Sequence, residues 1–215
     1  MEHLFSFLYK MNLDNIEAII FDLGGVLINL NYQTTIDQFT ELGINNFESL
    51  YSKKQQSNLF DDYETGQISS QGFINTLLKH LPQGTSPNQV VSAWNSMILN
   101  IPNSSIKLLD KLSSKYRLFM LSNTNDIHFQ KVYNEWMKTT DREPKSYFEK
   151  IYLSQEIGMR KPNPEIFKHV CEEQNLNAST TLFIDDSIQH IEGAKSIGLN
   201  VHHLSNITSL DSLFS

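Results

Sequence analysis

The sequence predicts an α/β fold, a parallel sheet wound with helices on both faces, and three observations carry that expectation. The apolar runs Ala18–Phe21, Leu118–Leu121 and Thr181–Ile184 are continuous rather than alternating, as in strands buried on both sides, and each ends in polar residues: Asp22, Ser122 and Asp185–Asp186. From Ser104 onward, strand-like and helix-like stretches alternate, the pattern of a parallel sheet with crossover helices. Between about Leu30 and Asn100 the pattern is helical throughout and rich in Asn, Gln and Ser, so an insertion follows the first strand.

The elements follow in order. AIIFDLGGVLINL, residues 18–30, is an apolar strand that runs into Asp22 and the pair Gly24–Gly25. Within the insertion, Phe39, Leu42, Phe47, Leu50, Leu59 and Phe60, then Phe73, Ile74, Leu77 and Leu78, recur at three- and four-residue intervals and indicate short amphipathic helices. Pro82 and Pro87 flank Gly84 and mark a turn before a helix bearing Val90, Val91, Trp94 and Ile98. Strands are expected near 18–23, 116–122, 150–153, 181–185 and 200–204, and helices near 103–114, 126–139, 164–175 and 187–197. Asn123, Thr124 or Asp126 is expected to cap the second of these helices and Ser187 the last. RKPNP, residues 160–164, places Lys161 among prolines that deny it regular hydrogen bonding at a helix entrance. Every polar residue singled out then lies at the carboxyl end of a strand or in the loop beyond, where open α/β sheets bind ligands. Trp94 and Trp136 read as packing residues, and His202 and His203 as structural.

Composition narrows the function. With 24 acidic residues against 17 Lys and Arg, the net charge of −7 disfavours nucleic acid and anionic membranes as partners. The single cysteine, Cys171, falls in a helical pattern and reads as a small buried apolar residue; it allows no intrachain disulfide and fits a reducing, cytoplasmic setting. No apolar run reaches the length of a membrane span. Met1–Asn12 is apolar, but Glu2 stands where a signal peptide is basic and no small-residue cleavage site follows, so residues 1–15 read as a leader helix or extension.

Asp22, Ser122, Lys161 and Asp185–Asp186, in that order, with the stretches FDLGGVL, LSNTN, YLSQEIGMRKP and IDDS, resemble the haloacid dehalogenase superfamily over residues 16–205. Within it they are similar to the FDLG-type sugar-phosphate (glucose-1-phosphate) phosphatases and the β-phosphoglucomutase-like branch. The resemblance implies a Rossmann-like core of residues 1–30 and 101–215 and a small helical cap of residues 31–100, hinged at Asn29–Tyr32 and Asn100–Asn103. It implies Mg²⁺-dependent hydrolysis of a small-molecule phosphate ester by a monomer or weak homodimer. Asp22 would attack phosphorus to give an aspartyl-phosphate, a substitution split into two easier steps. Lys161 would supply positive charge against nucleophile and phosphate, while Ser122, Asn123 and the backbone at Gly24 would hold phosphoryl oxygens. Asp22, the Gly24 carbonyl, Asp185 and Asp186 would hold Mg²⁺, which takes oxygen ligands and few protein carboxylates.

Singly, these residues have ordinary uses, as turn caps, helix caps or solvated charge; together they point to a site. One position departs from the family. Gly24 stands where most superfamily phosphatases carry a second Asp that protonates the leaving group, a contribution of about 10²–10⁴ in rate. Its absence favours esters with good leaving groups, such as sugar-1-phosphates, and disfavours a mutase. Glu64, Asp61, Asp62, Asp126 and His128 are the alternative proton donors. A dehalogenase-type hydrolase and a catalytically silent binding module are the rival readings.

Overall fold

The computed structural model describes residues 13–44, 47 and 58–214; the leader segment Met1–Asn12 and Leu50 lie outside them. In chain order the elements are β1 (Ala18–Phe21), α1 (Tyr32–Glu41), α2 (Asn58–Glu64), α3 (Ser70–Leu78), α4 (Pro87–Asn95), α5 (Asn103–Ser113), β2 (Arg117–Ser122), α6 (Asp126–Thr139), β3 (Lys150–Leu153), α7 (Ser154–Ile157), α8 (Pro164–Gln174), β4 (Thr181–Asp185), α9 (Ile188–Lys195) and β5 (Asn200–His203). A 3₁₀ segment at Ile207–Phe214, which the sequence pattern did not indicate, follows β5.

The strands form one parallel sheet in the order β3-β2-β1-β4-β5. Alternate residues of the central strands divide between two apolar layers, as a doubly covered sheet requires. Ile19, Phe21, Leu118, Met120, Leu182 and Ile184 pack with α5 and α6, through Leu109, Leu112, Val132 and Trp136. Ala18, Ile20, Phe119, Leu121 and Phe183 pack with α8 and α9, through Ile166, Phe167, Val170 and Ala194. Cys171 belongs to this second layer, and burial raises its thiol pKa, so it is an inert packing residue.

Helices α1–α4 lie between β1 and β2 in sequence, and their apolar faces are continuous with the first layer. The contacts are largely aromatic: Phe39 stacks on Phe47 at 4.1 Å, Tyr63 on Phe73 at 4.3 Å and Phe60 on Trp94 at 5.6 Å. Gly84 takes the left-handed conformation the turn requires (φ +98°), and α4 then opens with Pro87 behind a capping box of Ser86 and Gln89. The two chain crossings into and out of this region are tied to each other. Asn29 N–H donates to Asn100 O (3.0 Å), Leu99 N–H to Asn29 O (3.0 Å) and Asn31 N–H to Met97 O (2.8 Å).

Three expectations change at the helix entrances and strand ends. The cap of α6 is Asn125, whose side chain accepts from His128 N–H; the Asn123 side chain is bound to Lys161 and Asp126 is already helical. Ser187 precedes α9 but makes no side-chain cap; its N–H is held by Asp185 Oδ1 at 2.8 Å instead. β1 stops at Phe21 because the chain folds back just beyond it, Leu23 O accepting from both Leu27 and Ile28.

Candidate active site

Asp22 follows the last residue of β1, the central strand of the sheet, and its N–H still reaches across to Ile184 O (2.9 Å) on β4. Ser122 ends β2 and Asp185 ends β4, so the two strands flanking β1 bring their terminal polar residues to the same edge. The fourth group arrives from a loop. Lys161 lies between α7 and α8, and its fully buried Nζ donates to Asp22 Oδ1 (2.6 Å) and Asp185 Oδ2 (2.7 Å).

The sequence around Lys161 explains how a lysine is held there. Asn163 caps α8 and Pro164 starts it, fixing the far side of the loop. On the near side, Asn123 Nδ2 donates to Lys161 O (2.8 Å) while Asn123 Oδ1 accepts from Lys161 N–H (2.9 Å). The Asn123 side chain thus holds the backbone of Lys161 from both sides. Beneath the loop, a Cβ on Gly193 of α9 would lie 2.2 Å from Pro162 O, so only glycine lets this backbone approach.

Two buried carboxylates face one ammonium, and they are not equivalent. Burial alone would raise Asp185, but Lys161 and His190 outweigh it and hold that group down to about 2. Asp185 also accepts from Ser187 N–H, and His190 Nδ1 lies 2.9 and 3.0 Å from its two oxygens. For Asp22, burial wins over Lys161, and the charges of Asp185 and Asp186 add to it, so its pKa is pushed up to about 7. Burial disfavours the ammonium of Lys161 too, but the two carboxylates keep its pKa raised.

Asp186 is exposed and completes a cluster: oxygens of Asp22, Asp185 and Asp186 lie within 4.8 Å of one another. An all-oxygen set with excess negative charge fits a hard divalent cation. Asp185 is the member whose oxygens are engaged by Lys161 Nζ, Ser187 N–H and the His190 ring. Gly25, at φ +74°, packs under Asp186; a Cβ there would meet Asp186 Oδ2 at 2.5 Å.

Gly24 has no left-handed requirement, but a Cβ on it would lie 2.6 Å from Leu30 Cδ1. The space next to a side chain at this position is filled by Leu30. Among the alternative proton donors, Asp61 and Glu64 pair with Arg160, the latter at 3.0 Å, and Asp126 accepts from Gln155 at 3.4 Å. His128 is buried beneath the indole of Trp94 (4.4 Å between rings). Its Nε2 faces Trp94 O at 2.9 Å, so that nitrogen carries the proton, and Asn125 Nδ2 donates to Nδ1 at 3.2 Å. This overturns His128 as a candidate acid: burial lowers its pKa from 6.5 to about 4, and it joins α4 to α6 as a neutral ring. A groove of about 350 Å³ between Ser70, Val91, Asn95 and the α6 residues Asp126, Ile127 and Lys131 contains none of the motif residues.

A neutral buried histidine makes a testable contribution. Its depressed pKa means that the unfolded chain binds the proton more readily, so the contribution is complete above pH 6.5 and is lost as pH falls through about 4. We expect about 3 kcal/mol of stability to disappear across that window. Urea unfolding of wild type and His128→Gln at several pH values checks this; equal slopes in both would remove the histidine as the cause.

Arg160, Asn125 and His190 have roles that sequence reading missed. His190 carries one signal, its place in the first turn after the aspartate pair, where a side chain can turn back to the strand end. Arg160 carries only its adjacency to Lys161.

Comparison with known proteins adds to this geometry. The family of haloacid dehalogenase-like hydrolases matches residues 16–198. The D-ribitol-5-phosphate phosphatase of Bacteroides thetaiotaomicron is 26% identical over 191 residues, 89% of this chain and 93% of that protein. The glyceraldehyde 3-phosphate phosphatase of Pyrococcus abyssi is 25% identical over 199 residues, 86% of this chain and 79% of that protein. In three dimensions, a mutant of a haloacid dehalogenase family enzyme from Bacteroides thetaiotaomicron, crystallised with magnesium and inorganic phosphate, superposes with a TM-score of 0.88. It is 36% identical, over 93% of this chain and 99% of that one.

Proposed function

Because this chain belongs to the haloacid dehalogenase-like hydrolases, we propose that it is a magnesium-dependent phosphatase of small sugar or polyol phosphates, with Asp22 as nucleophile. The observation that carries the reading is the buried triad of Asp22, Lys161 and Asp185, with Asp186 beside it, at the carboxyl edge of the central strands. Its similarity to phosphatases of two phosphorylated small molecules, and to an enzyme crystallised with magnesium and phosphate, supports the same activity.

The residues divide the work as follows. Asp22 attacks phosphorus from the end of β1, and Lys161, whose backbone is held by Asn123 and whose ammonium is anchored by Asp185, neutralises it and the incoming phosphoryl group. Ser122, buried beside this pair at the end of β2, offers a hydroxyl to a phosphoryl oxygen. Asp22, Asp185 and Asp186, with the Gly24 carbonyl, would hold Mg²⁺. The cation supplies charge neutralisation that lets two anions approach. The oxygen-only donor set and the surplus of carboxylates over ammonium fit that ion.

The related phosphatases are named for ribitol 5-phosphate and glyceraldehyde 3-phosphate, both esters of primary alcohols. They widen the substrate class beyond the anomeric phosphates favoured by the missing acid at Gly24. Phosphate release from ribitol-5-phosphate, glucose-1-phosphate, glucose-6-phosphate and p-nitrophenyl phosphate, with Mg²⁺ and with EDTA, tests the reading. Turnover is expected on at least one sugar or polyol ester, falling at least about 10²-fold in EDTA. Faster hydrolysis of glucose-1-phosphate than glucose-6-phosphate would show that the leaving group limits the rate. Silence on every ester, with chloride release from 2-chloropropionate, would replace this reading with a dehalogenase.

A further inference from the structure

Helix α2 touches the parts of the chain that carry the site at three points, although 25 residues or more of chain separate it from either crossing into the core. The first is ionic: the guanidinium of Arg160, the residue before Lys161, pairs with both Asp61 and Glu64 of α2. The side chains are 25% exposed for Arg160, 41% for Asp61 and 16% for Glu64, and the carboxylate oxygens that face the guanidinium are shut off from water. The second is a hydrogen bond from Ile127 N–H, in the first turn of α6, to Tyr63 Oη at 3.3 Å. The third is a backbone approach just past α2. Gly66, at φ +70°, lies so close to α7 that a Cβ would stand 2.2 Å from Gln155 O.

These three contacts converge on two segments of the chain. Arg160 and Gln155 belong to the segment that delivers Lys161, and Ile127 lies four residues beyond Asn123, which grips the Lys161 backbone. We propose that Arg160 is a positioning residue, the latch by which the inserted helix α2 is reversibly fastened to the Lys161 loop while a phosphate ester is held. The inference rests on the phosphatase reading and adds to it the side chain that governs substrate entry and release. The strength of the pairs suits that task. An ion pair of this exposure biases an equilibrium by about two- to fivefold, so two of them favour the fastened state yet allow it to release within a catalytic cycle. The same engagement keeps Asp61 and Glu64 on the guanidinium, which leaves them serving the latch rather than the leaving group.

The test combines kinetics with hydrogen exchange on Arg160→Gln, on the double variant Asp61→Asn/Glu64→Gln, and on all three changes together. In the latch, Arg160 acts through the two acids. Each of the first two proteins should show about tenfold faster amide exchange in residues 59–66 and a five- to tenfold higher KM with kcat within about twofold of wild type, and the triple variant should be no worse than either. Gly66→Ala, which wedges the same junction through Gln155 without removing a charge, should give the same signature. Effects that multiply in the triple variant would place Arg160 on the substrate itself and overturn the latch, as would unchanged exchange over residues 59–66. The exchange arm needs no turnover. Were no ester hydrolysed, faster exchange in the variants would still support the fastening of α2, and the phosphatase reading alone would fall.

Discussion

Replacing Asp22 by asparagine is expected to lower phosphate release at least about 10³-fold while leaving the protein folded, because the amide cannot form the acyl-phosphate that divides the reaction into two steps. The same substitution should change stability in the opposite sense. Asp22 is pushed up to about 7 by burial, opposed by Lys161 and helped by Asp185 and Asp186, so the folded protein binds a proton there more tightly than the unfolded chain does. The contribution of Asp22 to wild-type stability then falls as pH rises from about 4 to about 7, where the buried group is forced to ionise, against the opposite contribution of His128 that both proteins share. In EDTA, Asp22→Asn lacks that loss. It should exceed wild type at pH 8 by up to about 4 kcal/mol and show no advantage at pH 4. Denaturant unfolding at the two pH values reads the difference; a variant less stable than wild type at pH 8 would show that Asp22 holds the fold together rather than straining it. A residue whose removal abolishes activity and stabilises the protein has been kept for its chemistry.

Lys161→Met is expected to be destabilising by about 3–5 kcal/mol at neutral pH without added metal, the usual consequence of removing one partner from a buried ionic cluster. Methionine matches the stem of lysine in length, so packing is largely kept and the loss reports charge. Asp22 and Asp185 would then face each other with no cation between them, although Ser187 N–H and His190 continue to support Asp185. Two further outcomes separate this account from a general packing defect. The deficit should shrink at acid pH, where one carboxylate takes up a proton and the repulsion disappears. Added Mg²⁺ should raise the melting temperature of the variant more than that of wild type, since only the variant lacks an internal counter-charge. A deficit independent of both pH and Mg²⁺ would point to lost packing and against the electrostatic role.

How much of this was legible in the sequence depends on what kind of interaction fixes each residue. Asp22, Ser122 and Asp185 could be read because strand period and apolar continuity locate a strand end, and parallel strands deliver their ends to one edge. Lys161 could be read because prolines mark its loop. The helical nature of the insertion was legible from three- and four-residue spacing, since that spacing follows from helix geometry alone. What holds the site in place was not legible. The clamp of Asn123 on the Lys161 backbone carried no sequence signal, and the α6 cap moved to Asn125, because four neighbouring residues there can all cap and only the tertiary fold decides among them. The pairing of Arg160 with Asp61 and Glu64 spans about a hundred residues and two segments whose relative placement no local pattern encodes.

The strand order also governs when this chain can fold during synthesis. β1 is made first, yet its two neighbours are β2, nearly a hundred residues later, and β4, which ends at Asp185. Lys161 lies 139 residues from Asp22, one of the two carboxylates it contacts. A ribosome-bound chain shorter than about residue 185 therefore carries an apolar strand with one edge open and Asp22 without its full set of partners. Parallel pairing across such separations is slow, and the exposed edge is an aggregation hazard while it waits. The polar, Asn- and Gln-rich helices between β1 and β2 emerge during this interval, and they make local contacts that need nothing from the C-terminal half.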